Sequence, residues 1–263
     1  MSTSNRLTRI VVRGSIAAIV ATAGALACSN DSAGPDTRTL RSAEIVVGAG
    51  RARTEVVLDR ADRVQSVTAV FTRDALDGLP VTLPTTEFIV PLPSDAPAMV
   101  FDHVGINWNP QGHPPPLVYT HPHFDVHYYL VSIQERDAMT PADPQFAVRA
   151  TKAPPAEEIP TGYVGDPMGI PRMGTHWTDR SSHEFHGQTF TSTMVYGFYD
   201  GKMIFIEPMM TKAFLESRPD ETRTLPVPAK YPQPGRYPTS WRVQYDPGAA
   251  EYRVELLGFT ARQ

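Results

Sequence analysis

Period-two alternation of apolar and polar residues, with little helical periodicity, organises this chain. "TEVVLDR" and "VQSVTAVFT" read as strands, and "RDALDGLP" as a short helical turn closed by Gly-Leu-Pro. "EFIVPLP" is a further strand ending in prolines. In "TSTMVYGFYDGKMIFIEPMM", Asp200-Gly201 lies between two apolar runs, the signature of a two-residue hairpin. A regular register pairs Tyr199 with Lys202 and Met194 with Glu207. It places Met194, Tyr196, Phe198, Met203, Phe205 and Glu207 on one face, and Val195, Gly197, Tyr199, Ile204 and Ile206 on the other. Both faces are largely apolar, so the hairpin is expected at the centre of a sheet covered on both sides. "SWRVQYDPGAAEYRVELLGF" predicts a second hairpin near the C-terminus. "MTKAFLESR" is the best short helix, and there is no internal repeat. The pattern predicts a mainly β protein: a single barrel-like or sandwich domain over 44–263, with few short helices.

Prolines interrupt this pattern in two blocks, "NWNPQGHPPP" at 107–116 and the stretch from Pro141 to Pro171. Proline neither donates to a ladder nor continues a helix, so both blocks read as loops. Loops this long in a compact domain commonly lie over a site or hold one in place.

One alternating segment is chemically unusual. "THPHFDVHYYLVS", Thr120 to Ser132, carries three histidines and an aspartate between His121 and His127. The chain has eight histidines, all between positions 103 and 186. On a strand, His121, His123, Asp125, His127 and Tyr129 share one face, while Phe124, Val126, Tyr128 and Leu130 form a core face. Imidazoles on a strand face can aim at one metal ion if further ligands arrive from elsewhere. His176 in "RMGTHWTD" and Glu207 in "KMIFIEPMM" are the expected partners. Glu207 is the most telling, because a carboxylate among apolar neighbours needs a cationic partner or a proton. His123, His127, His176 and Glu207 are therefore the candidate ligands of a divalent ion (Zn, Mn, Fe or Cu). Asp125 suits an orienting role, and His113, His121, Tyr129 and Glu184 are candidates to line the pocket or support its ligands. His123 and His127 lie roughly 13 Å apart on a straight strand, so one ion can use both only if the strand bends.

The N-terminus changes the picture of where the domain sits. "MSTSNRLTRIVVRGSIAAIVATAGALAC" has a basic start, no acid and a short apolar run, as in a secretory signal over 1–27. The single cysteine, Cys28, falls where a bacterial lipoprotein is cut and lipidated. "ALAC" resembles a lipobox, with Leu one place later than usual. Residues 28–43 read as a flexible tether. Ser29 in second place resembles the sorting signal of outer-membrane lipoproteins. The expectation is an exported protein held in the cell envelope by an N-terminal lipid and facing the periplasm. Loss of 1–27 takes Lys+Arg from 24 to 21 against 28 Asp+Glu, a formal charge of −7. That charge, with no basic patch, argues against nucleic acid.

There is no G-x-S-x-G elbow, P-loop or dinucleotide fingerprint, and Ser181 and Ser182 are too close to His183 in sequence to suggest a triad. "INWNPQGHPPP", "HFDVHYY", "MGTHW" and "YGFYDGKMIFIEPM", with the lipoprotein-like start, resemble a group of uncharacterised secreted bacterial proteins that carry a domain of unknown function. The resemblance spans about residues 60–215 and implies a β-rich domain and homo-oligomers, with no established activity. His113, His123, Asp125, His127, His176 and Glu207 match its motif residues. Two functions follow as expectations: a lipoprotein that binds a divalent metal or small molecule in a His-rich pocket, or a non-catalytic binding or assembly protein of the envelope without metal. The sequence leaves open whether the protein is an enzyme.

Overall fold

The computed structural model describes Met1 and residues 37–263. The expected signal at 1–27, Cys28 and the tether up to residue 36 lie outside the described residues. The domain opens with β1 (Thr37–Arg41), β2 (Ile45–Val47), β3 (Gly50–Asp59), β4 (Val64–Thr72) and β5 (Thr86–Pro91). β6 (His103–Asn109) and β7 (His123–Tyr129) follow, then the helices α1 (Ile133–Ala138) and α2 (Phe146–Ala150). β8 (Tyr163–Gly165), β9 (Thr175–Asp179), β10 (Ser192–Tyr199) and β11 (Lys202–Thr211) precede α3 (Lys212–Glu216). β12 (Asp220–Thr224), β13 (Gly235–Tyr237), β14 (Ser240–Asp246), β15 (Glu251–Leu257) and β16 (Thr260–Arg262) complete the chain.

The strands form two open antiparallel sheets stacked as a sandwich, and neither closes into a barrel among the described residues. The first runs β1-β3-β4-β15-β14-β12, with β2 also on β3, and the second runs β5-β6-β7-β11-β10-β9-β8. The main core lies between them. Val56, Val67, Val254 and Leu256 from the first sheet meet Ile106, Phe124, Val126 and Ile206 from the second. Full burial of each such side chain contributes about 1.5–3 kcal/mol. Tyr128 ties the layers together: its hydroxyl donates to the Val254 carbonyl at 2.5 Å and accepts from the Ala69 N–H at 3.1 Å.

The Asp200-Gly201 turn closes a two-residue hairpin between β10 and β11, with Tyr199 opposite Lys202. Both turn residues have positive φ, 52° and 75°, which Asp and Gly tolerate. Beyond the turn the expected register fails. A bulge beside Gly197 shifts β11 by one residue, so Glu207 faces Val195 and Met194 faces Pro208. Phe205 and Glu207 thereby share a face with Val195 and Gly197, while Met203 and Ile206 join Met194, Tyr196 and Phe198 in the inter-sheet core. The hairpin is central, and all of β10 is buried.

Three further expectations are corrected. The tether ends earlier than residue 43, because Thr37–Arg41 pairs with β3. Leu40 is buried there, and Arg38 and Arg41 pair with Asp62 and Glu55. The first proline block is not all loop, because Asn107–Asn109 belong to β6, a fully buried strand between β5 and β7. The second block contains α2 and β8. α1 begins with a capping box in which the Ser132 and Glu135 side chains each hold the other's backbone N–H, a signal present in the sequence as S-x-x-E.

Candidate metal centre

The face of the second sheet turned away from the main core carries the chemistry. Period-two geometry puts His103, Asn107 and Asn109 of β6 on that face, beside His123, Asp125 and His127 of β7. Glu207 comes from β11, the next strand, and His176 from β9, opposite Gly197. Every residue of β7 is buried, so the chain covers this face as well. The covering segments are the expected loops. His113, Pro114 and Tyr119 from one, and Asp166 with Ile170–Met173 from the other, line a cavity of about 410 Å³ above the strands. Asn107, Asn109, Asp125, His176 and Thr178 form its polar floor.

The candidate ligands resolve into two groups instead of one. His127, His176 and Glu207 form the first, and His113, His123 and Asp125 the second. Within each, one ligand atom per residue lies within 4.8 Å of the others. His123 thus sits apart from the His176 and Glu207 it was expected to join. The strand stays extended between His123 and His127, so each serves a different group.

In the first group, His127 Nε2 lies 3.4 Å from Glu207 Oε1, and His176 Nε2 lies 3.6 Å from Glu207 Oε2. Glu207 is 1% exposed and His127 fully buried. Both His127 nitrogens and Glu207 Oε2 lack a hydrogen-bond partner. Burial pushes the His127 imidazole down to about 4. Burial, then repulsion from His127 and His113, pushes His176 down to about 3. Burial, with Asp125 and Asp166 nearby, holds the Glu207 carboxyl well above its ordinary range. Phe205 packs against both imidazoles, its ring centroid 4.7 Å from His127 and 5.4 Å from His176, while the two imidazoles lie 6.4 Å apart.

The second group is more polar. His123 Nε2 lies 3.1 Å from Asp125 Oδ1, and His113 Nε2 lies 3.6 Å from Asp125 Oδ2. Burial works to raise Asp125, but His123 and His113 prevail and hold it well below the carboxylate range. Burial likewise opposes charge on His113, yet the Asp125 carboxylate raises its imidazole above the ordinary value.

The remaining expected residues have supporting places. The His121 side chain is exposed, and its carbonyl accepts the His123 Nδ1–H at 2.7 Å. Tyr129 stacks on His127 at 5.5 Å and on His103 at 4.7 Å, and its hydroxyl donates to the Arg172 carbonyl. Glu184 is buried behind the cavity-lining Tyr119, 3.5 Å from its hydroxyl. Asn107, Asn109, Asp166 and Thr178 also line the cavity, with little in the sequence to mark them. The N-x-N spacing around Trp108 is the alternation of a strand with one polar face, obscured by the prolines that follow. Asp166 and Thr178 carry no local signal.

A family profile described as "TTHB210-like: Hypothetical protein TTHB210" matches residues 59–108, a span from the end of β3 to β6. The chain is similar to that uncharacterised family over this segment. No curated protein and no solved structure matches it.

Proposed function

We propose that this is an exported, lipid-anchored protein of the cell envelope that holds a divalent transition metal at His127, His176 and Glu207. The observation that carries the reading is Glu207: a carboxyl buried to 1% exposure whose polar neighbours are two imidazole nitrogens 3.4 and 3.6 Å away. Bonds of 2.0–2.1 Å from one ion to three ligands require ligand atoms about 3.0–3.4 Å apart; the three candidate atoms lie within 4.8 Å of one another, so the side chains would close in around the ion. An ion would satisfy His127 Nε2 and Glu207 Oε2, which otherwise remain unpaired at a cost of about 1–3 kcal/mol each. Two histidines and one carboxylate suit Zn, Fe(II) or Mn, and leave positions free for water or a small molecule. Such an opening would face the cavity, which His176 lines. The Cys28 lipid would hold the domain at the membrane facing the periplasm, and Ser29 would direct it to the outer membrane.

The test is zinc-dependent stabilisation. At free zinc 100 times the dissociation constant, the folded state gains about 2.7 kcal/mol. Thermal unfolding of the metal-stripped protein should shift upward accordingly, and the part of the shift due to this site should vanish in His176→Ala and Glu207→Gln. Identical zinc responses in the wild type and both variants would refute the assignment.

A further inference from the structure

We infer that His113, His123 and Asp125 form a second, separate divalent-metal site at the cavity wall, with Asn109 as its positioning residue. A carbonyl oxygen only accepts, so the 2.7 Å contacts of His123 Nδ1 with the His121 carbonyl and of His113 Nδ1 with the Pro114 carbonyl fix both Nδ1 atoms as N–H donors. In the neutral rings both Nε2 lone pairs then converge on Asp125. His123 Nε2 and Asp125 Oδ1, 3.1 Å apart and buried, have no hydrogen-bond partner of acceptable geometry. Two such atoms at that distance need a cation between them: a proton, as in the imidazolium that Asp125 favours on His113, or a metal ion held by all three side chains.

The surroundings match the outer partners that metal ligands have. The Thr85 hydroxyl donates to Asn109 Oδ1 at 2.7 Å, which fixes the amide so that its Nδ2 donates to Asp125 Oδ2 at 2.6 Å. Each ligand is thus held by a hydrogen bond on its far side. His113 comes from the loop after β6 and is 31% exposed on its side chain, whereas His123 is fully buried. One ligand on a loop at the cavity wall gives an ion that exchanges more readily than one at His127, His176 and Glu207.

The experiment is a zinc titration of the untagged, metal-stripped full-length protein, with stoichiometry checked by elemental analysis after gel filtration. The wild type is expected to take up two equivalents. His113→Ala, on a loop and outside the core, is expected to take up one, with an unchanged circular dichroism spectrum. Asn109→Ala is expected to keep two, with the weaker one bound 10–100-fold less tightly. His176→Ala is expected to lose the other equivalent. A wild type binding a single equivalent that His176→Ala loses and His113→Ala keeps overturns this inference, as does a His113→Ala variant that still binds two. A single equivalent lost only in His113→Ala supports this site and removes the Glu207 reading. No zinc uptake by the wild type overturns both.

Discussion

Gly197 controls the spacing of the Glu207 group, and a single methyl there should disturb it. A Cβ at Gly197 would stand 2.1 Å from Phe205 Cζ and 2.2 Å from Cε1, well inside van der Waals contact. The ring tip cannot swing aside. Phe205 is fully buried, with His127, His176 and Tyr129 at centroid distances of 4.7, 5.4 and 5.4 Å. Overpacking of this kind costs about 1–3 kcal/mol. For a domain of this size that lowers the thermal midpoint by about 2–12 °C. Because the ring packs against both imidazoles, its displacement should also weaken zinc binding at His127 and His176 by about 10-fold or more. Phe205→Leu in the Gly197→Ala background frees the space, so the two substitutions should show a coupling energy of about 0.5–3 kcal/mol in a double-mutant cycle. Calorimetric unfolding and zinc titration of the four proteins make the measurement. Gly197→Ala within about 0.5 kcal/mol of the wild type, with unchanged zinc affinity, would refute the packing argument.

Further outcomes follow from other parts of the molecule. Tyr128→Phe leaves the Val254 carbonyl and Ala69 N–H without the inter-sheet hydroxyl and should cost about 1–3 kcal/mol in chemical denaturation. Burial works to raise the Glu55 carboxyl, but hydrogen bonds from Arg53, Arg253 and Arg41 lower it on balance. Its contribution to stability is therefore present above the unfolded value of about 4.3 and is lost as pH falls through the lower folded value. Glu55→Gln should lower stability at pH 7 by about 3 kcal/mol and flatten the acid limb of a stability–pH curve; a parallel curve would contradict this. Cys28→Ser should move the protein from the membrane fraction to the soluble periplasmic fraction, and unchanged fractionation would remove the lipid anchor.

Alternation along single strands is legible in the sequence, and relations between strands are largely not. The two faces of β7 follow from "HFDVHYY" alone, as does the Asp200-Gly201 turn, because both depend on neighbours in the chain. The partnership of His127 with Glu207 depends on β11 lying beside β7, and that of His176 on β9 lying beside β10, which no local pattern specifies. The one-residue bulge beside Gly197 defeats a regular register and exchanges the faces of Phe205 and Ile206. The spacing difficulty between His123 and His127 is real, and the fold places them in two candidate groups in place of one on a bent strand. Asp125, expected to orient a ligand, stands among the candidate ligand atoms of a group of its own, while the amide of Asn109, hidden in a proline-rich stretch, donates to it.

The central claim is that the folded protein carries a divalent metal at His127, His176 and Glu207. The most direct measurement is elemental analysis of the protein purified without an affinity tag from its native compartment, beside a His176→Ala, Glu207→Gln double variant of matching circular dichroism. The account predicts a first-row transition metal in the wild type in near-integral amount, and one equivalent fewer in the double variant. Equal metal content in the two proteins, or none in a well-folded wild type, would contradict it.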